Sequence, residues 1–171
     1  MSAQVQPLIT TPGHGCLPSG HCTQSYVMAH VLARLLGVRA PGTGGDREVQ
    51  LQRLAARIAI NRVVAGVHFP VDNLAGRLLG RCLGEYAVTR LVPGEALWTP
   101  RQFDGQLVPD DEAFRPTSAQ QLLDATADAA PPPYYTPWGA PPADRPAASP
   151  LLEEMWTLAY EECAYLREDG A

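Results

Sequence analysis

The 171-residue sequence predicts an all-α fold, and three observations carry that expectation. Apolar residues recur at three- and four-residue intervals in four separate segments, the period of a helix face. Runs of glycine and proline separate those segments and mark where helices stop. The hydrophobic content of 46% is enough for one core, so a single compact unit is expected rather than a disordered tail.

Residues 1–17 read as an irregular entry, because Thr11, Pro12, Gly13 and Gly15 discourage both helix and strand. After Pro18-Ser19-Gly20, the stretch from Gln24 to Leu36 is rich in helix formers and gathers Val27, Val31, Ala33 and Leu35 on one broad face. Arg39-Ala40-Pro41-Gly42-Thr43-Gly44-Gly45 breaks it, and Asp46 then offers an N-cap for a second helix. There Leu51, Leu54, Ala55, Ile58 and Val63 recur at helical spacing, with Arg47, Arg53 and Arg57 on the opposite side. This helix ends near Gly66, because His68-Phe69-Pro70 forces an extended residue before the proline and a new start at or just after it. Asp72 to Glu85 carries Leu74, Ala75, Leu78, Leu79 and Leu83 as a third helix.

Most of the 17 prolines lie between Pro93 and Pro150, including Pro131-Pro132-Pro133 and Pro141-Pro142. That segment is expected as loop wrapped on the core or partly extended, with one short helix over Ser118 to Ala129 capped by Thr117 or Ser118. Tyr134, Tyr135 and Trp138, set among the prolines, are expected to pin the loop to the core, the alternative being a docking segment for a partner. Leu151 to Leu166 forms a docked terminal helix, with Leu151, Leu152, Met155, Trp156, Ala159 and Tyr160 at helical spacing and Glu153, Glu154, Glu161 and Glu162 facing water. The chain thus divides into a helical core (1–92), a proline-rich irregular segment (93–150) and a C-terminal helix (151–171).

The net charge of -5 comes from 18 acidic residues against 13 basic ones, all arginine and scattered, which argues against a nucleic-acid partner. No apolar stretch reaches the roughly 18 to 20 residues that span a bilayer, so the chain as given is expected to be soluble. Cys16, Cys22, Cys82 and Cys163 follow no CxxC spacing, and the N-terminus lacks the basic and apolar regions of a signal peptide. Reduced thiols and a cytoplasmic location are the expectation.

Two segments carry chemistry. In Pro18-Ser19-Gly20-His21 a proline, a small capping residue and a glycine immediately precede a helix, which leaves backbone N–H groups free to bind an oxyanion. His21, with an ordinary pKa near neutrality, can give a proton to a leaving oxygen. Taken alone, the tetrapeptide is equally a capping turn with an incidental histidine. The second segment, Arg62 to Asp72, places a guanidinium near one helix end, His68 in the following turn and Asp72 at the next helix start. Arginine presents a planar fork of donors to a tetrahedral oxyanion. His68 can attack phosphorus if its other ring nitrogen is held as a donor, and Asp72 is placed to accept that bond. Singly, Arg62 would be a surface residue and Asp72 a plain N-cap. Occurring together with Ser-Gly-His, they point to one site.

PSGH followed by R-x5-H-x3-D resembles the second and third signature motifs of the type 2 phosphatidic acid phosphatase (PAP2) superfamily, which includes the vanadium-dependent haloperoxidases. The likeness covers roughly residues 11 to 86 and extends through Gly66-Val67-His68-Phe69-Pro70-Val71-Asp72-Asn73-Leu74-Ala75-Gly76. It implies a helical bundle, with Ser19, Gly20 and Arg62 as phosphate or vanadate ligands and His21 as general acid and base. It implies His68 as nucleophile, or as the axial ligand of vanadate, oriented by Asp72. The implied activity is phosphomonoester hydrolysis through a phosphohistidine, with no cofactor. The alternatives are a haloperoxidase that binds vanadate and uses peroxide and halide, and a non-catalytic relative, and a homo-oligomer is compatible with each.

Two departures stand out. Asn61 occupies the place where the third motif opens with Ser, and still offers an amide donor. The first motif, a Lys and an Arg-Pro on an upstream helix, has no counterpart in the 17 residues before Pro18, and the chain contains no lysine. A shortened version of a longer enzyme, lacking N-terminal helices of the bundle, is the preferred expectation. Substitution by Arg34, Arg77 or Arg81 and a degenerate site are the alternatives. His14, Cys16, His21 and Cys22 form a compact cluster open to a zinc reading, but their spacing matches no familiar zinc pattern. His14 is read as an exposed loop residue and His30 as structural.

Overall fold

A computed structural model describes residues 7–10, 13, 15–38, 45–92, 95, 98–115, 120, 129–140, 142–143 and 149–168. In chain order the described elements are α1 (Gly20–Leu35), α2 (Gly45–Val64), α3 (Pro70–Leu91), β1 (Arg101–Phe103), a 3-10 turn (Gly105–Leu107), β2 (Tyr135–Pro137), α4 (Pro150–Glu162) and α5 (Ala164–Glu168). The architecture is mainly helical, as the periodicity predicts. Boundaries moved where capping outweighed periodicity. Helix α1 begins at Gly20, four residues before the expected start at Gln24, because Ser19 caps it. Helix α2 already includes Gly45, so Asp46 lies inside the first turn instead of preceding it. Helix α3 starts with Pro70 at its first position and runs on to Leu91, where Val88 and Thr89 are still buried.

The packing of α1 on α3 is set by Gly76, Gly80 and Gly84, one glycine per turn on a single face of α3. A Cβ at Gly76 would stand 2.8 Å from the Ser19 carbonyl oxygen, and one at Gly80 would stand 2.5 Å from that of Thr23. At Gly84 it would meet His30 Cβ at 2.9 Å. These are distances that no side chain tolerates, so the two backbones approach closely because the glycines are there. Helix α2 completes the layer with small residues of its own, Ala55, Ala56 and Ala59, against Cys22, Tyr26 and Ala29 of α1 and Leu74 and Leu78 of α3.

The proline-rich segment contributes more than loop. Strands β1 and β2 pair antiparallel, Arg101 opposite Pro137 and Phe103 opposite Tyr135. Phe114, Tyr134 and Tyr135 join the core, so the two tyrosines pin the segment as expected, whereas Trp138 remains 70% exposed. Of the short helix expected at Ser118 to Ala129, only Gln120 and Ala129 fall within the described residues, Gln120 in helical conformation.

Arg77 anchors this covering layer. The residue is 2% exposed, and its guanidinium donates to the Tyr135 hydroxyl at 2.8 Å and to the Gln120 carbonyl at 2.5 Å and lies 5.0 Å from the Phe114 ring centre. The Tyr135 hydroxyl in turn donates a hydrogen bond to the Leu74 carbonyl at 3.0 Å. A second tie joins α3 to β1, where Glu85 accepts both Arg101 nitrogens, at 2.8 and 3.2 Å, together with Arg81 Nε at 3.0 Å. Among the described residues no helix is long and apolar enough to cross a membrane.

Candidate functional site

The two motif segments meet at one end of the bundle. The Ser19 amide donates to the Asp72 carbonyl at 2.9 Å, which fastens the start of α1 to the start of α3. Gly76 permits that contact, because any side chain there would collide with the Ser19 backbone. Ser19 Oγ accepts from the Cys22 amide at 3.4 Å and its carbonyl accepts from Thr23 N at 2.9 Å. Among the described residues the Gly20 and His21 amides have no such partner, and both residues are exposed. The first turn of α1 therefore offers free N–H groups and the positive end of a helix dipole to solvent, as an anion site requires.

The spacing of Arg62, His68 and Asp72 follows from how α2 ends. Gly66 takes a φ of 72°, and its amide donates to the Val63 carbonyl at 2.9 Å while Val67 donates to that of Arg62 at 3.2 Å. These two bonds form a Schellman closure, which needs a left-handed residue and so favours glycine. Arg62 thereby lies on the last turn of α2, and the reversed chain delivers His68 two residues beyond the glycine. Phe69 then caps α3, and Asp72 stands at its third position.

Asp72 holds the turn together. Its Oδ2 accepts the Phe69 amide at 2.9 Å and lies 3.2 Å from His68 Nδ1, with the two side chains 3% and 8% exposed. A carboxylate so placed favours the tautomer with the proton on Nδ1, which leaves the lone pair on Nε2. Phe69 N fixes the carboxylate, and the carboxylate fixes the ring.

His21 completes the group. Partial desolvation of the ring lowers its pKa below the usual histidine value, and the electrostatic influence of Arg62 and then of His68 lowers it further, so the three side chains share one electrostatic neighbourhood. Arg62 Nε is buried and has no hydrogen-bond partner. An orphaned guanidinium nitrogen beside two histidines and a free helix N-terminus suits a tetrahedral oxyanion, phosphate or vanadate, which would satisfy all of these donors.

Arg34, Arg77 and Arg81 do not extend the cradle. Arg34 pairs with Glu95 and the Val38 carbonyl, Arg81 with Glu85, and Arg77 with Gln120 and Tyr135. None of these three substitutes for a missing lysine, because each guanidinium already holds the fold together. The zinc reading gains nothing from Cys22, whose buried thiol donates to the Asn73 carbonyl at 3.2 Å and has its pKa pushed up to about 12. His14 lies outside the described residues. His30 packs against Gly84 and is held neutral, its pKa lowered to about 3 by burial and by Arg81.

Two residues take positions at the site that the sequence reading did not assign them. Cys16 lies beside the Asp72 carboxylate; burial first, and then that charge and a hydrogen bond to it, raise the thiol pKa. Nothing in its spacing could have shown this. Asn73 is fully buried, and its Nδ2 donates to the Ala59 carbonyl at 2.8 Å, joining α3 to α2 directly beneath Asp72. A polar residue inside an apolar helical repeat was the available signal.

Residues 2–93 match the PAP2 superfamily. A vanadium-dependent bromoperoxidase of Ascophyllum nodosum is 29% identical over a 97-residue alignment that covers 43% of this chain and 17% of that protein. The chain thus spans less than a fifth of the curated relative it matches. No solved structure matches it.

Proposed function

The chain belongs to the PAP2 superfamily, and on that premise we propose that it hydrolyses phosphomonoesters through a phosphohistidine on His68. The observation that carries this reading is the Asp72 carboxylate, held by Phe69 N and placed 3.2 Å from His68 Nδ1, which leaves Nε2 as the nucleophile.

Arg62, the Gly20 amide and the Ser19 hydroxyl bind the phosphoryl oxygens. His68 Nε2 attacks phosphorus as the ester P–O bond breaks, and His21 gives its proton to the departing alkoxide. The depressed pKa of His21 is consistent with that task. Desolvation and then the charge of Arg62 lower the His21 pKa, and a bound dianion would offset the Arg62 contribution and favour a proton on the ring. In the second half, His21 removes a proton from water, the oxygen attacks phosphorus, and the P–N bond breaks to restore His68.

Substitution of His68 by Ala is expected to abolish hydrolysis of an aryl phosphate while the far-ultraviolet dichroism is unchanged. Activity retained in that variant would overturn the mechanism. The similarity to a bromoperoxidase supports a second reading, in which His68, Arg62 and Gly20 hold vanadate. Vanadate would supply Lewis-acid activation of peroxide, and His21 would move the proton. Halide oxidation that requires added orthovanadate and peroxide, with no phosphate ester cleaved, would establish that reading over the first.

A further inference from the structure

We propose that α4 is a docking surface for a basic amphipathic helix of a partner protein. Helix α4 is apolar over far more of its circumference than its contact with the rest of the chain requires. One side, with Leu152, Trp156 and Tyr160 half-buried, faces inward, and α4 packs on α3. On the other side Leu151, Met155, Leu158 and Tyr165 are 66%, 55%, 54% and 64% exposed. The spacing of four and three residues keeps Leu151, Met155 and Leu158 on one line of α4, which is the seam of a helix-to-helix contact, and Tyr165 follows on α5. A helix that meets a single neighbour needs an apolar sector of only about 100°, and the two faces of α4 together cover roughly twice that. Among the described residues the outward stripe is thus left exposed, and a continuous apolar stripe of this kind marks an interaction surface.

The charges around the stripe choose the occupant. Glu154 and Glu161 border it and Glu162 interrupts it on the same line, and all three are exposed. No arginine occurs between Pro150 and Glu162. Arg167, the next cation along the chain, is turned to the Tyr160 ring and the Leu35 carbonyl. A second copy would therefore bring carboxylates against carboxylates in either orientation, and like charges across a helix pair oppose association. An anionic lipid surface is repelled for the same reason. A helix with leucines on one face and lysine or arginine flanking them meets both the stripe and its acidic border.

The test uses the whole chain, with a synthetic leucine/lysine amphipathic helix and a leucine/glutamate helix of the same apolar face as probes. Trp156, half-buried beside the stripe, reports binding by fluorescence. The basic helix is expected to bind, more weakly as salt rises, and the acidic one is not. Leu158→Gln should weaken binding roughly tenfold or more, because a buried leucine contributes at least one decade of affinity. Glu161→Gln together with Glu162→Gln should erase the preference for the basic helix without disturbing the stripe, and both variants should keep the aryl phosphate activity of the parent. Equal binding of the two probes would overturn the proposal, as would binding of neither. A concentration-dependent dimer that Leu158→Gln dissolves would overturn it in favour of a second copy.

Discussion

Replacing Gly80 by alanine sets helix propensity against packing, and the structure gives a magnitude for each side. In the middle of a helix, alanine is favoured over glycine by about 1 kcal/mol. The new Cβ, however, would stand 2.5 Å from the Thr23 carbonyl oxygen and 2.9 Å from Tyr26 Cβ. A carbon–oxygen contact is comfortable from about 3.3 Å, so α1 must withdraw by roughly 0.8 Å at this point. Neither neighbour can rotate away, since one is backbone and the other the first atom of a buried side chain. Overpacking of this kind costs about 1–3 kcal/mol, and a rigid contact belongs at the upper end. The net expectation is a loss of about 2 kcal/mol, read as a lower urea midpoint with unchanged m-value. The same withdrawal carries Ser19 and His21 away from Asp72 and His68, since α1 and α3 bring the two motifs together. Misplacement of reacting groups by about 1 Å can cost a hundredfold in rate. Aryl phosphate hydrolysis should therefore fall by about that factor under conditions where the variant is still folded. A Gly80→Ala protein as stable as the parent, or more so, would show that propensity governs and that the close approach of α1 and α3 is not what holds the site.

Asp72→Asn should preserve the fold while lowering turnover by about 10³–10⁴, because an amide can present its NH₂ to His68 Nδ1 and stabilise the wrong tautomer. Nitrogen-15 shifts of the His68 ring would show the tautomer directly, and a loss of less than tenfold would count against the orienting role. The His30 prediction concerns pH. Its folded pKa is lowered to about 3 by burial and by Arg81, Arg34 and Arg101, which Glu85 only partly offsets. The folded state therefore excludes a proton that the unfolded chain accepts below about 6.5, so stability is unaffected above that pH and falls as pH drops beneath it. From pH 7.5 to 5.5 this amounts to at most about 1.4 kcal/mol. His30→Gln should remove that part of the slope in denaturation curves, and an unchanged slope would refute the assignment.

How far the sequence reaches depends on the range of the forces involved. The positions of α1, α2 and α3 were legible because helix periodicity, the Ser19 cap, Gly66 and Pro70 all act within a turn of the chain. The placement of Arg62, His68 and Asp72 was legible for the same reason: a Schellman closure and an N-cap leave little freedom between the end of α2 and the third residue of α3. Gly76, Gly80 and Gly84 were visible as letters four residues apart, but their purpose depends on a backbone that approaches from more than fifty residues away.

Tertiary packing alone decided the rest. It tied Ser19 to Asp72 and so made one site of two motifs. It also engaged the terminal nitrogens of Arg34 and Arg77 and the Nε of Arg81 in contacts that hold the fold together. The strands β1 and β2 could not be read from three-residue segments among prolines, since their ladder exists only through a partner more than thirty residues distant. Local sequence determined which groups are present at the ends of the helices, because capping and turn formation are short-range. Which of those groups meet, and which charges remain uncompensated, depended on helix contacts that no local pattern encodes.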